Sequence, residues 1–149
     1  MHRVFMSINA VLAFLLCCFA TGCVSKDEVA RVPSPDGAAE AVVFETNGGA
    51  TESFGYQIDL REKNRRRGER VAFLYGAVRN DSAWGVNVRW LSDRELRLEY
   101  LSAQNETLEK PRVTISGREV SIVLQKGIDD PSAPAGGMLY NMERSRRSR

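Results

Sequence analysis

The sequence predicts an all-β protein, a single antiparallel meander forming a curved sheet or small sandwich, preceded by a signal-peptide helix. Three observations carry that expectation. Phe54, Tyr56, Ile58 and Leu60 alternate with Gly55, Gln57, Asp59 and Arg61, the two-residue period of a half-buried strand. Two later pairs of alternating runs are joined by very short links, at Ser92-Asp93 and at Gly117-Arg118, as hairpins require. No stretch after Cys23 carries the 3.6-residue apolar period of a long amphipathic helix.

The first element is a targeting segment. Arg3 and the α-amino group make its start positive, and no acidic residue precedes Asp27. Val11 to Ala20 is an unbroken apolar run of ten residues; the wider run from Val4 to Ala20 has 17 and includes Ser7 and Asn9. A membrane-spanning helix needs about 20 apolar residues, so a cleaved secretory signal fits better. Ala20-Thr21-Gly22-Cys23 closes the segment and resembles the lipobox of bacterial lipoproteins, with Ala20 where Leu is most frequent. The resemblance implies cleavage between Gly22 and Cys23, a diacylglycerol on the Cys23 thiol and an acyl chain such as palmitate on its amino group. The competing reading is an ordinary cysteine after a cut behind Ala20. In the lipoprotein reading the protein is lipid-anchored in the cell envelope. Val24, rather than Asp, after the cysteine favours the outer over the inner membrane in an organism that has both.

What remains excludes much chemistry. Removing residues 1–22 from 149 leaves 127, the size of one domain. Cys17 and Cys18 leave with the signal, so the mature chain has no internal disulfide and no free thiol. The only histidine is His2, which excludes Ser–His and Cys–His catalysis and histidine metal sites. The formal net charge is +2, of which the last nine residues supply four Arg against one Glu. The body of the chain is therefore slightly acidic, and nothing in it asks for nucleic acid. No phosphate loop, nucleophile elbow or metal-ligand cluster occurs, so no cofactor and no metal are expected.

Residues 23–32 read as a lipidated polar spacer, 33–126 as the antiparallel β domain, and 127–149 as a Pro/Gly-rich loop with a basic tail. Pro33-Ser34-Pro35-Asp36-Gly37 is a turn, since Pro fixes φ and Gly accepts a positive one. Ala41-Val42-Val43-Phe44-Glu45 then suits a strand covered on both faces. Together with Gly49-Ala50-Thr51, the Phe54 strand and Trp90-Leu91-Ser92-Asp93, these motifs resemble a family of small uncharacterised bacterial domains that begin Ser-Pro-Asp-Gly. That family has Cys where this chain has Gly48 and Thr where it has Glu52. The resemblance implies a β fold and no particular activity.

Further strands are expected at Val71 to Tyr75, Val86 to Trp90, Leu96 to Tyr100, Arg112 to Ser116 and Glu119 to Gln125. Ser102 to Pro111 reads as a polar connection, Gly76 to Gly85 as a loop, and Gly117 as the first residue of a type II′ turn. Met138-Leu139-Tyr140 is expected to dock on the sheet. The expected core is Phe44, Phe54, Tyr56, Ile58, Phe73, Trp90, Leu96, Leu98, Ile115, Ile122 and Leu124.

Two function classes fit. One is a monomeric, membrane-tethered, non-enzymatic envelope protein that binds an envelope protein or anionic surface, with Arg65, Arg66, Arg67 and Trp84 as candidate contacts. The arginine run reads first as a solvated hairpin loop, and more sharply as a patch for phosphate headgroups or an acidic polymer. The other class is a small-ligand binder or carboxylate-based hydrolase using Asp59, Arg89, Arg97 and Glu99. Asp129-Asp130 lacks the calcium-loop pattern and reads as solvated loop. An open, flat surface with free sheet edges would favour the first class; an enclosed pocket with paired carboxylates would favour the second.

Overall fold

In the computed structural model, which describes residues 24–141 and 144, two β-sheets pack face to face. The strands are β1 (Ser25–Pro33), β2 (Ala39–Asn47), β3 (Gly55–Glu62), β4 (Glu69–Tyr75), β5 (Val78–Asn80), β6 (Ala83–Trp84), β7 (Asn87–Ser92), β8 (Glu95–Tyr100), β9 (Asn105–Leu108), β10 (Arg112–Ile115) and β11 (Arg118–Lys126). The first sheet has the order β1-β2-β3-β4-β9 and is antiparallel throughout. The second has the order β10-β11-β8-β7, and β5-β6 is a small separate hairpin. The signal segment, Gly22 and Cys23, and the tail after residue 144 lie outside the described residues. No helix among the described residues is long and apolar enough to cross a membrane.

The all-β class and all seven expected strands are present. The pairing departs from a pure meander at two places: β9 pairs with β4, and β11 pairs with β8, the one parallel pair. The cause is β9. After β8 the chain crosses to the first sheet, pairs there with β4, and returns through the β10–β11 hairpin, so β11 enters beside β8 running the same way.

Four strands stand where none was expected: β5 and β6 pair within the expected loop Gly76 to Gly85, and β1 and β9 lie in segments read as spacer and connection. The segment 25–33, read as a spacer, is β1, paired along its length with β2 and burying Val29 completely. It is an edge strand with charges facing water, and charge is how natural sheets blunt their edges. β9 lies within the expected polar connection, almost wholly exposed at the opposite edge. Among the described residues the first sheet thus takes in the segment from Ser25.

The core lies between the sheets. Tyr56, Ile58 and Leu60 of β3 and Leu74 of β4 meet Leu96, Leu98, Val120 and Ile122 of the second sheet. Six of the eleven expected core residues are buried there, and Phe54, Trp90 and Leu124 are partly buried against them. Phe44 and Phe73 are not core. Register places Phe44 opposite Gln57 and Gln57 opposite Phe73, all on the outer face of the first sheet. A bulge at Val71 puts both Val71 and Ala72 inside and leaves Phe73 outside. Phe73 lies across Gly55, where a Cβ would come within 2.5 Å of its ring, while Lys26 sits 4.4 Å from the Phe44 ring centre.

The hairpin register is as expected, with Val88 opposite Leu98 and Trp90 opposite Leu96, but the turn residues are Asp93-Arg94. The second hairpin turns at Ser116-Gly117, with φ of 50° and 75°. Two positive φ values make a type I′ turn, not the II′ expected.

Strands β1 to β4 of the first sheet run between two poles. Ser25, Asn47, Gly55, Tyr75 and Asn105 mark one end of the first sheet, and Pro33, Ala39, Glu62 and Glu69 the other.

Candidate functional site

The sandwich is held shut on one side by side chains from sequence-distant turns. Trp90 Nε1 donates to the Val32 carbonyl at 3.0 Å, joining β7 to β1 across the gap between the sheets. At the end of β1, Ser34 Oγ donates to Asp36 Oδ1 at 2.7 Å, and Ala38 N donates to the same oxygen at 3.0 Å. Asp36 N in turn donates to Asp93 Oδ1 at 2.9 Å, and Arg118 reaches Asp36 at 2.5 Å and Asp93 at 3.8 Å. These donors, Ser34 foremost, lower the Asp36 carboxyl to about 2. The Ser-Pro-Asp-Gly turn is therefore a clamp between the β1–β2, β7–β8 and β10–β11 turns. Its work is structural.

Beside the Trp90 latch the edges of β1 and β7 diverge and leave an open cleft of about 390 Å³. Ala30, Val32, Val86, Val88 and Leu139 form its apolar walls, with Arg79, Asn87, Arg89 and Glu99 as polar groups. Arg79, 5% exposed, donates through Nη1 to Asn87 Oδ1 at 3.2 Å and to Asp130 Oδ2 at 3.3 Å. Asn87 Nδ2 donates to the same Asp130 oxygen at 3.2 Å. Asp130 also accepts from Ser132 N and Oγ, which with Asn87 and Arg79 hold its carboxyl below the usual range. Asp130 is thus a partly buried clasp that pins the otherwise largely exposed 127–137 loop, where the sequence suggested a wholly solvated one. Leu139 docks as expected and is 5% exposed.

Behind this cleft Glu45 is buried. It accepts from Tyr56 Oη at 2.9 Å and from Tyr140 N at 3.4 Å. Burial raises its carboxyl above the usual range, and burial beside Glu45 raises the Tyr56 phenol. Nothing in the sequence singled Glu45 out. Its position on the inward parity of β2, opposite Tyr56, is the signal that could have done so.

The four residues proposed for ligand chemistry divide. Arg89, Arg97 and Glu99 meet on the second sheet's outer face: Arg89 pairs closely with Glu99, and Arg97 lies 3.9 Å from Glu95 and 4.0 Å from Glu99. Asp59 is on the outer face of the other sheet, accepting from Gln57 Nε2 at 2.6 Å. The quartet is not one site. Its carboxylates stand in different layers, and Glu99 is the single carboxylate lining the cleft.

Of the candidate contacts, Trp84 is half-buried and packs edge-to-face on Phe54, ring centres 5.7 Å apart. It belongs to the core margin rather than the free surface. Arg65, Arg66 and Arg67 are exposed on the β3–β4 loop. Arg65 pairs with Glu62 at 3.1 Å, while Arg66 and Arg67 make no ion pair with any described residue. Among the described residues no three potential metal-ligating side chains converge.

No family model matches the chain, and no curated protein or solved structure matches it either.

Proposed function

We propose that this chain is a bacterial lipoprotein, anchored to the cell envelope through lipid on Cys23, that binds another envelope component without catalysing a reaction. The observation that carries the reading is the abrupt join between targeting segment and domain. The lipobox-like Ala20-Thr21-Gly22-Cys23 ends two residues before β1 begins at Ser25. The polar side chains of the cleft support a non-enzymatic role, because they are engaged with one another as guanidinium–carboxylate and amide–carboxylate pairs. The cleft is also open, and β1, β7, β9 and β10 are sheet edges, the arrangement expected of an interaction protein.

The test is made on the whole chain in a bacterial host. Wild-type protein takes up labelled palmitate and sediments with membranes, and Cys23→Ala does neither. A soluble wild type whose mature N-terminus is another residue would sink the reading. Two or more acyl chains anchor stably, whereas one is marginal.

A second reading, a small-ligand binder or carboxylate-based hydrolase, rests on the cleft beside Trp90. A small carboxylate such as citrate would then raise the melting temperature of the wild type and not of Arg89→Ser. Equal melting curves with and without citrate count against it.

A further inference from the structure

We infer that the pole opposite Ser25, where β1 begins, is a binding surface for an anionic polymer, which the domain holds clear of its own membrane. The orientation rests on the lipoprotein reading above; the surface itself does not.

Charge is segregated between the two poles. The β3–β4 loop places Lys63, Arg65, Arg66 and Arg67 together between Glu62 and Glu69, and Arg94 stands in the β7–β8 turn at the same end, where the carboxylates of Asp36 and Asp93 are taken up by Arg118. At the other end the β2–β3 loop carries Glu52 as its single charge.

The arginine loop is also preformed. Arg65 N donates to the Glu62 carbonyl at 3.1 Å, and Asn64 adopts a left-handed φ of 63°. From beneath, Arg61 reaches Glu40 at 3.3 Å and the Arg66 carbonyl at 3.5 Å. Gly68 lies so close to β3 that a Cβ there would stand 3.0 Å from the Leu60 carbonyl oxygen. The loop overhangs a second cleft of about 310 Å³, between β3 and β10, lined by Leu60 and Ile115, by Arg65 and Arg67, and at its rim by Glu62 and Glu69. A pinned loop presenting two unpaired guanidinium groups, those of Arg66 and Arg67, beside a cleft suits a chain of phosphates or carboxylates, because each ion pair formed loses little additional loop entropy.

Distance rejects the anchoring membrane's own headgroups as the ligand. β1 runs from the tether pole to the arginine pole, and its eight steps at about 3.3 Å span about 26 Å. The Debye length at physiological ionic strength is about 8 Å. More than three screening lengths therefore separate the arginines from lipid beneath an upright domain.

The test uses the full-length chain in vesicles of neutral phosphatidylcholine, with polyphosphate and polygalacturonate as phosphate and carboxylate probes. Wild type binds at least one polymer, and binding weakens as salt rises. The double variant Arg66→Ser/Arg67→Ser binds about tenfold more weakly, from two exposed ion pairs. Lys26→Ser/Lys126→Ser, a charge-matched double change near the tether pole, leaves binding unaltered. A dye on Arg66→Cys is not quenched by a membrane-embedded quencher. No binding, or equal binding by wild type and the double variant, overturns the surface; quenching at position 66 overturns the upright orientation. A chain that binds polymer yet fails to enter vesicles refutes the anchor and leaves the surface standing.

Discussion

Trp90 is the side chain whose removal tests the assembly of the two sheets most directly. Fully enclosed, a Trp→Ala change costs roughly 3–5 kcal/mol. Trp90 is only half-buried, so its packing contributes about half of that, about 2 kcal/mol. Its bond to the Val32 carbonyl adds about 1 kcal/mol. Trp90→Ala should therefore lower unfolding stability by about 3 kcal/mol. Trp90→Phe, which keeps most of the ring and loses the donor, should lower it by about 1 kcal/mol. Urea titration followed by circular dichroism measures both, and an unchanged slope would show that the unfolded state is not what moved. A Trp90→Phe variant matching wild type, with Trp90→Ala costing under about 1 kcal/mol, would mean that Trp90 does not latch β7 to β1.

Other substitutions test the buried acid, the clamp and the domain boundary. Glu45→Gln keeps an acceptor for Tyr56 and removes the cost of burying a charge, so it should be more stable than wild type at pH 7. Because burial raises the folded-state pKa, wild type regains stability as pH falls through that raised value. The advantage of Glu45→Gln should then shrink to nothing once pH is below the ordinary glutamate range. Asp36 behaves oppositely: its depressed pKa contributes stability above about pH 4 that is lost as pH falls toward 2. Asp36→Asn should remove that part of the acid limb, and an identical acid profile would count against the clamp. A fragment of residues 33–126 lacks β1 and the docked Leu139, so it should fail to give the cooperative melt of the whole chain; a sharp transition for the fragment would restore the shorter boundary.

Where one strand face is apolar, the sequence was sufficient. Tyr56-Ile58-Leu60 and the Trp90–Leu96 register follow from alternation and link length, both local properties. β1 and β9 escaped because an edge strand needs little apolar content: Val29 is the one wholly buried side chain of β1. The parallel β8–β11 pair escaped because alternation states which face a residue takes and nothing about its neighbour. Phe44 and Phe73 misled by type, since aromatic residues also cover the outer face of a sheet over a glycine such as Gly55. In the sites, the arginine loop was visible as composition. Its rigidity depends on Arg61 beneath it and on the close approach of Gly68 to Leu60, neither of which composition reveals. Asp130 looked solvated because its partners Arg79 and Asn87 are more than forty residues away.

The course of β1 from one pole to the other also sets how the domain would carry a mechanical load. A pull between Ser25 and the β3–β4 loop acts along the strands, at right angles to the hydrogen bonds between β1 and β2. Such a load shears the bonds of the β1–β2 ladder together instead of opening them one at a time from an end. The bulge between Glu28 and Ala30 interrupts that ladder near its middle. The first yield under tension should therefore be slippage of the segment before it, with the stretch from Ala30 to Pro33 holding while Trp90 grips Val32.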